Sequence, residues 1–320
     1  MIRTSKGQSK IGALNIKDVN ILITGGNGFL GKHLVEEFKN QKAIHIATPT
    51  SQEFDLREKK ACQEIVKKAD IIVHLAALVG GIGYNREHPA QMFYDNLMMG
   101  IHLMHEAWIA HVKKFVAIGT ICCYPKYTPV PFRESDLWSG YPEETNAPYG
   151  MAKKMLLVQA QAYRKQYGMN SIFLLPVNLY GPGDNFDPES SHVIPALIRR
   201  FAEAKGRNQK EVVVWGTGKA TREFLYVKDA AEAIVKATIK YDKPDPVNIG
   251  AGFEISIRDL AHKIQSIVGY EGRIIWDKTK PDGQPRRMLD TKRAKKEFGF
   301  KAHTDFDKGL RETIKWFYSV

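Results

Sequence analysis

The sequence has little cysteine and no long run of apolar residues. Three cysteines occur in 320 residues: Cys62 stands alone, and Cys122 and Cys123 are adjacent. This spacing provides neither a disulfide framework nor a CxxC metal motif, so we expect no disulfide and no metal site. The strongest apolar run, residues 71–79, contains His74 and falls well short of the roughly 18 residues that a membrane span needs. The basic first residues lack the apolar segment of a signal peptide, so we expect a cytoplasmic protein.

The charge of the chain is strongly basic. Lys and Arg number 47 against 35 Asp and Glu, which gives a formal net charge of +12. A basic surface is either simply solvated or favours an anionic partner, such as nucleic acid, an acidic membrane or a phosphorylated small molecule. The basic residues are spread along the chain without a nucleic-acid-binding motif. We therefore expect a phosphorylated small molecule as the partner, with no nucleic acid and no membrane.

Strand-like and helix-like segments alternate in the first half of the chain. Short apolar segments at residues 19–24, 43–47, 71–75, 114–118 and 171–176 predict strands, and the segments between them are long enough for helices. This order is typical of a parallel sheet that helices cover on both faces. We therefore expect an α/β, doubly wound fold.

A loop rich in Gly, Pro, Asp and Ser follows Tyr180 and predicts a domain boundary. We expect a first domain at residues 1–180 and a smaller C-terminal α/β lobe at residues 181–320. The segment at about 222–245 is expected to return and pack on the large sheet. Helices of the second half are predicted near residues 193–204, 230–239, 256–268 and 306–317.

Gly25, Gly28 and Gly31 directly follow the first predicted strand and begin a helical pattern. Their spacing provides a tight turn, room for a pyrophosphate close to the backbone, and free N–H donors at a helix N-terminus. In this position the pattern favours dinucleotide binding by a Rossmann-type NAD(P)-binding domain over a plain turn. Asp55, after the second strand, is a candidate either for binding the adenine or for capping a helix.

Two groups of residues could carry chemistry. Tyr149 and Lys153, spaced as Y-x-x-x-K, fall on one face of a predicted helix, where a nearby ammonium would lower the pKa of the phenol and allow proton transfer near neutrality. Thr120, Cys122 and Cys123 follow the fourth strand at the carboxyl end of the sheet, where open α/β folds bind their ligands. At least one of the two cysteines is expected to be inert packing.

At these residues the sequence resembles the extended short-chain dehydrogenase/reductase superfamily, and within it the GDP-L-fucose synthases, which are GDP-4-keto-6-deoxymannose 3,5-epimerase-4-reductases. The resemblance covers nearly the whole chain from Val19. The stretches that carry it are AALVGGI (76–82), YPEETNAPYGMAK (141–153), PVNLYGPGDNFDPESSHVIPALIRR (176–200), REFLYVKD (222–229) and KPDGQPRR (280–287). They are far more specific than the glycine pattern.

The resemblance implies roles for individual residues. The catalytic set would be Thr120, Tyr149 and Lys153, with Cys122 and His192 as the acid/base pair of an epimerisation. The implied cofactor contacts are Gly25, Gly28, Phe29, Leu30, Gly31, Asp55, Ala76, Ala77, Tyr149, Lys153, Pro176, Asn178 and Leu179. The implied contacts to a GDP-sugar substrate are Gly81, Asn178, His192, Val193, Arg200, Trp215, Arg222 and Lys280.

The resemblance also implies an activity and an assembly. The reaction would be the conversion of GDP-4-keto-6-deoxy-D-mannose to GDP-L-fucose by C3/C5 epimerisation and C4 reduction. The implied cofactor is NADP(H), with NAD(H) as the alternative. The implied assembly is a homodimer, formed through the helices predicted at residues 89–111 and 148–167.

Three features depart from the family's pattern. Thr120 replaces the usual serine but keeps its hydroxyl, and Leu78 replaces a lysine near the cofactor. Asn27 and Pro49 stand where the family has arginines for the 2′-phosphate of NADPH, and an acidic residue that would select NAD is also absent there. The alternatives are therefore an NAD-dependent nucleotide-sugar epimerase and a reductase of a related GDP-4-keto (deoxy)sugar. The intact Tyr-Lys pair disfavours a non-catalytic nucleotide sensor.

Overall fold

The computed structural model describes residues 16–280 and 282–320. Its strands are β1 (Asn20–Thr24), β2 (His45–Ala47), β3 (Ile71–His74), β4 (Lys114–Ile118), β5 (Ser171–Pro176), β6 (Asn178–Tyr180), β7 (Glu211–Trp215), β8 (Thr221–Arg222), β9 (Phe224–Tyr226), β10 (Val247–Ile249), β11 (Ile255–Ser256), β12 (Arg273–Asp277) and β13 (Arg286–Arg287). Its helices are α1 (Phe29–Asn40), α2 (Lys59–Ile65), α3 (Ile82–Glu87), α4 (Pro89–Ile109), α5 (Ala147–Tyr167), α6 (Val193–Gly206), α7 (Val227–Lys240), α8 (Ile257–Val268), α9 (Lys292–Phe298) and α10 (Phe306–Phe317). Among the described residues, no helix is long and apolar enough to cross a membrane. The basic segment at the start of the chain, on which the signal-peptide prediction depends, lies outside the described residues.

The main sheet is parallel, with the strand order β10-β5-β4-β3-β1-β2. Leu22 of β1 lies beside Ile72 of β3, which in turn lies beside Phe115 of β4. These strands are apolar on both faces because helices cover both sides of the sheet. The chain leaves β1 towards β2 but later continues on the other side of β1, at β3. This reversal opens a crevice at the carboxyl ends of β1 and β3, where folds of this class bind ligands.

Helices form the two outer layers. Connections between parallel strands are right-handed, so the reversal after β2 places α1 and α4 on opposite faces of the sheet. α4 packs against α5, and α1 packs against α7. α7 is distant from α1 in sequence, yet it joins this layer, and β10 adds to the sheet beside β5. The α/β, doubly wound, Rossmann-type fold predicted from the sequence is therefore confirmed.

The individual elements follow the sequence pattern with small differences at their ends. The five strands predicted in the first half are present as β1 to β5. α7 begins at Val227, before the predicted start at residue 230. α4 ends at Ile109, before the predicted end, because His111 adopts a φ of 56° that no α-helix accommodates.

A second apolar core lies apart from the main sheet. Its members include Ile198 and Phe201 of α6, Leu260 and Ile264 of α8, and Leu310 of α10. β7 and β12 form a parallel pair in this part of the chain. The domain boundary at residue 180 stays a prediction. The presence of two separate apolar cores is the physical argument for it.

Candidate active site

A large cavity opens at the carboxyl ends of the main-sheet strands and extends to the second core. Its volume is about 1090 Å³. Except for Lys280, every residue to which the resemblance assigns a catalytic, cofactor or substrate contact lines it: Gly25, Gly28, Phe29, Leu30, Gly31, Asp55, Ala76, Ala77, Gly81, Thr120, Cys122, Tyr149, Lys153, Pro176, Asn178, Leu179, His192, Val193, Arg200, Trp215 and Arg222. Residues that are widely separated in the sequence are thus brought to one site.

The turn between β1 and α1 forms one end of the cavity. Gly25 has a φ of 71°, and a Cβ there would lie 2.9 Å from the backbone nitrogen of Ala76. A Cβ on Gly31 would lie 2.2 Å from the carbonyl oxygen of Gly25. Both positions therefore require glycine. Because Gly28 is the N-cap of α1, the free N–H groups of the helix begin at the cavity and can bind a pyrophosphate.

Asp55 lies at the same end of the cavity and is held by Arg57. Nη2 of Arg57 is 2.7 Å from Oδ2 of Asp55, and Nη1 of Arg57 is 3.4 Å from Oδ2 of Asp95. The hydrogen bonds from Arg57 lower the pKa of Asp55, so this carboxylate is ionised at neutral pH. The N-cap of α2 is Glu58, so the alternative role of Asp55 as a helix cap is wrong.

Tyr149 and Lys153 come from the first two turns of α5. Pro148 lies in the first turn, where the backbone nitrogen of a helix residue has no partner within the helix, so the missing N–H costs nothing. Lys153 is almost fully buried. Burial lowers the pKa of Lys153 to about 8. Burial also raises the pKa of Tyr149, and repulsion of the phenolate by an ionised Cys122 or Cys123 raises it further. The expectation that the ammonium lowers the phenol's pKa is therefore wrong: desolvation of the phenolate outweighs it, and Tyr149 holds its proton.

The two adjacent cysteines have different surroundings. Cys122 is partly exposed in the cavity wall, and its backbone N–H donates to Oγ1 of Thr120 at 3.2 Å. Cys123 is buried, donates to the carbonyl of Gly150 at 3.4 Å, and has its pKa raised by burial to about 12. Of this pair, Cys122 has access to a ligand and Cys123 is packing.

His192 is the N-cap residue of α6, and its side chain makes no capping hydrogen bond. The imidazole faces the cavity, where the surrounding protein lowers its pKa, so it is neutral at pH 7. The neighbouring segment is tied to the loop before α3, because the N–H of Gly81 donates to the carbonyl of Ser190 at 3.1 Å. His192 is thus available for proton transfer rather than committed to the helix end.

The other end of the cavity presents cations around an indole. The guanidinium carbon of Arg200 lies 5.9 Å from the ring centroid of Trp215, and Nζ of Lys280 lies 5.5 Å from the same centroid. Lys280 stands over Trp215 rather than in the cavity wall. Arg222 donates to two backbone carbonyls at 2.7 and 3.1 Å, and burial lowers its pKa to about 10, which leaves it charged at neutral pH. Such a cluster suits an anionic, aromatic ligand such as a nucleoside diphosphate.

Several polar residues in the cavity wall were not singled out from the sequence. They include Glu143, Asp282, Gln284 and Arg287. All four belong to the YPEETNAPYGMAK and KPDGQPRR stretches that carry the family resemblance, so the signal was present. Only the structure shows that Arg287 donates to the thiol of Cys122 and that Arg222 donates to the backbone carbonyl of Asp282.

A group of possible metal ligands lies elsewhere. One ligand atom each of Asp229, Glu232 and His303 lies within 4.8 Å of the others. Asp229, however, accepts hydrogen bonds from the backbone N–H groups of His303 and Thr304 and from the Thr304 hydroxyl. Its carboxylate therefore has a structural role in joining α7 to the loop before α10.

Comparison with known proteins places the chain among nucleotide-sugar enzymes. The model of the NAD dependent epimerase/dehydratase family matches residues 21–250. GDP-L-fucose synthase 1 of Arabidopsis thaliana is 39% identical over 311 residues, which cover 97% of this chain and 96% of that protein.

Solved structures give the same result. A GDP-6-OMe-4-keto-L-xylo-heptose reductase from C. jejuni superposes with a TM-score of 0.90 at 28% identity, over 95% of this chain and 98% of the other. A GDP-L-fucose synthetase from Naegleria fowleri bound to NADP superposes with a TM-score of 0.85 at 28% identity, over 95% of both chains. Fold, cavity and sequence agree, and this chain belongs to the NAD dependent epimerase/dehydratase family.

Proposed function

We propose that this chain converts GDP-4-keto-6-deoxy-D-mannose to GDP-L-fucose, by epimerisation at C3 and C5 and NADPH-dependent reduction at C4. Five residues support this function, because Thr120, Cys122, Tyr149, Lys153 and His192 line a single cavity between a glycine turn and a cluster of cations. They offer one bound sugar a base, an acid and hydroxyls that can bind a ketone oxygen. The names of the relatives point to the same chemistry.

The epimerisation needs a base on one face of the sugar and an acid on the other. The C4 ketone acidifies the hydrogens on C3 and C5, and the thiolate of Cys122 removes them in turn. The hydroxyls of Thr120 and Tyr149 donate hydrogen bonds to the enolate oxygen that develops at C4. His192 returns a proton to the opposite face. Its lowered pKa leaves only a minority of the side chain as imidazolium at pH 7, but that form is a strong proton donor.

Tyr149 and Lys153 serve the reduction. When bound, NADPH supplies the hydride to C4. The neutral phenol of Tyr149 protonates the C4 alkoxide, and its raised pKa keeps that proton in place until the alkoxide forms. Lys153, whose pKa is about 8, is mostly charged at pH 7 and stabilises the phenolate that is left.

The cavity wall fits NADP(H) well at the pyrophosphate and less closely at the 2′-phosphate. The glycine turn and the N-terminus of α1 provide the pyrophosphate site. At the adenosine end, Asn27 donates to the carbonyl of Thr48 at 2.9 Å, and Pro49 lines the wall. Arg57 also lines this end, but Asp55 engages its guanidinium. We therefore propose NADP(H) as the cofactor, with weaker discrimination against NAD(H) than an arginine pair would give.

We also propose that the protein is a cytoplasmic homodimer. α4 and α5 pack together, and the apolar side chains of Phe93, Tyr94, Ile109, Val158 and Tyr167 on them remain exposed. Exposed apolar side chains on a helix pair favour association with a second copy, which would bury them. Light scattering should give the mass of two chains, and a monomer at micromolar concentration would contradict the dimer.

The experiment for the main proposal combines the purified protein, GDP-4-keto-6-deoxymannose and either NADPH or NADH. Consumption of reduced nicotinamide together with NMR identification of GDP-L-fucose would support both activities. A reaction in deuterium oxide adds a direct readout, since epimerisation places deuterium at C3 and C5. A folded protein that binds GDP but turns over neither mixture would contradict the proposal.

The second candidate is a reductase of a related GDP-4-keto sugar. The superposition on the heptose reductase favours it. Hydride transfer needs neither Cys122 nor His192, so the presence of both in the cavity wall supports the epimerase-reductase instead. Reduction without deuterium incorporation at C3 and C5 would favour the reductase.

A further inference from the structure

A buried arginine contacts the thiol that the proposed epimerisation uses as its base. Arg287 ends β13, has only 8% of its surface exposed, and lines the cavity. Its Nη1 donates to Sγ of Cys122 at 3.6 Å. The two residues are 165 positions apart in the sequence, so packing alone brings them together.

Hydrogen bonds fix the side chain of Arg287 in this direction. Its Nε donates to Oε1 of Gln284 at 2.7 Å, and Nε2 of Gln284 donates to the carbonyl of Lys126 at 2.6 Å. The backbone carbonyl of Arg287 accepts from the N–H of Glu223 at 3.1 Å. The guanidinium and the backbone of Arg287 are therefore both held in place, and little rotamer entropy is lost when the guanidinium contacts an anion.

The charge of Arg287 lacks a direct carboxylate partner. Among the described residues its guanidinium forms no ion pair, and residues 1–15 contain no Asp or Glu. β13 and β8 place Arg287 directly beside Arg222, so two cations lie together in a poorly solvated place. Such an arrangement is unfavourable unless an anion completes it. A thiolate on Cys122 is an anion in the right position.

Other charged and titratable groups also lie near Cys122 and Arg287. Arg222, whose pKa responds to both Arg287 and Cys122, adds a second positive charge. Tyr149 and Cys123 keep their protons and contribute no charge at neutral pH. Two carboxylates lie nearby, Glu143 and Asp282, and both favour the charged form of Arg222. Burial acts to raise the pKa of Glu143, but hydrogen bonds from Thr145 and Asn146, with a contribution from Arg287, lower it. Lys153 on α5 contributes a further cation.

On the basis of the function above, we propose that Arg287 is a positioning residue that holds Cys122 as a thiolate and so prepares it to remove protons from C3 and C5. Gln284 aims the guanidinium. The step itself balances as a proton transfer: the C–H electron pair moves to the enolate, the proton goes to sulfur, and the neutral thiol then returns it to solvent.

The test measures the ionisation of Cys122 without any substrate. The protein is alkylated with iodoacetamide at a series of pH values, and modification of the peptide that holds Cys122 is followed by mass spectrometry. Cys62 and Cys123 are buried, with pKa values raised to about 12, so they react slowly. In Arg287→Met we expect the midpoint pH of Cys122 alkylation to rise by about one to two pH units, so that the rate of Cys122 alkylation at pH 7 falls at least tenfold. Arg287→Lys should restore much of the loss.

Arg286→Met is the matched control. Arg286 is the neighbouring residue of β13, but it is exposed and pairs with Glu254, so the midpoint for Cys122 should stay at the wild-type pH. Gln284→Leu keeps the charge and removes the bond that aims it, so a smaller upward displacement is expected. If Arg287→Met does not fold, Gln284→Leu tests the inference in its place. An unchanged midpoint in the folded Arg287 or Gln284 variant would overturn the inference.

Affinity for GDP separates this role from phosphate binding. Arg287→Met should leave the Kd for GDP within about twofold, whereas Arg222→Met should weaken it at least tenfold. A large loss of GDP affinity in Arg287→Met with an unchanged Cys122 midpoint would make Arg287 a phosphate ligand and refute the proposal.

With GDP-4-keto-6-deoxymannose, deuterium exchange in Arg287→Met should recover as the pH is raised. If the wild-type protein does not act on this sugar while the alkylation midpoints differ as predicted, the function fails and the role of Arg287 stands.

Discussion

Substitution of Gly150 by alanine should disrupt the active site through a contact between α5 and the turn that carries Cys122. A Cβ at Gly150 would lie 2.2 Å from the carbonyl oxygen of Cys122 and 2.9 Å from its carbonyl carbon. Both atoms belong to the backbone, so the start of α5 or the turn must move. Gly150 also directly follows Tyr149, so any movement displaces two reacting groups together.

Two opposing effects set the expected magnitude. Overpacking costs about 1–3 kcal/mol, and alanine in a helix gains about 1 kcal/mol over glycine. The net loss of stability should therefore be about 0–2 kcal/mol, which leaves the protein folded. Displacement of reacting groups by about 1 Å can cost on the order of a hundredfold in rate. Activity should therefore fall much more than stability.

The assay compares the free energy of unfolding with the rates of deuterium exchange and of NADPH oxidation. Gly206→Ala is the control, because Gly206 ends α6 and no heavy atom lies within 4 Å of its Cβ position. It should leave both rates unchanged and raise stability slightly. If Gly150→Ala retained wild-type stability and both rates, the close contact between α5 and the Cys122 turn would be refuted.

Five other changes have expected outcomes. Cys122→Ser should abolish deuterium exchange at C3 and C5 and leave the Kd for NADPH unchanged. Cys123→Ser should retain deuterium exchange and lower the melting temperature. The opposite pattern would make Cys123 the base and Cys122 the packing residue. Tyr149→Phe should slow NADPH oxidation by about 10²–10⁴-fold, because it removes the proton donor to C4, and a milder loss would point to another donor. The rate of reduction should fall as the pH rises through about 8, since Lys153 then loses its charge; a profile that is flat to pH 9 would contradict this role. Asn27→Arg should raise kcat/KM for NADPH relative to NADH by about tenfold through one charge-assisted hydrogen bond to the 2′-phosphate, and equal ratios in variant and wild type would remove Asn27 from that site.

The parts of the fold that depend on local patterns could be predicted from the sequence. The apolar run before Gly25 is short, β-branched and continuous, as expected of a strand buried on both faces, and the turn after it requires glycine. Tyr149 and Lys153 share a helix face because four residues complete about one turn. Because local patterns of this kind also mark the other elements, most predicted strands and helices begin and end within a few residues of the expected positions.

Features that depend on contacts between distant segments could not be predicted. The distinction between Cys122 and Cys123 depends on which thiol α5 covers, and adjacent positions give no periodicity from which to read it. The raised pKa of Tyr149 results from desolvation, which only the packed cavity defines. Arg287 stands in a stretch that the resemblance marked, but its contact with Cys122 depends on the pairing of β13 with β8.

The path of the chain between the two cores limits how they can move. After β5 the chain enters the second core and then returns to the main sheet as α7 and β10. It leaves the main sheet again for β11 and α8, and comes back as α9, which packs on α7 and β10. The chain ends in the second core, where α10 packs against α8. Several covalent connections therefore cross the cavity's edge, and a wide swing about one hinge would strain the others. Entry and release of ligand should rely on local loop motion, and the two cores should unfold as one cooperative unit. A single proteolytic cut anywhere between α6 and α9 would divide the strands and helices of both cores between two fragments.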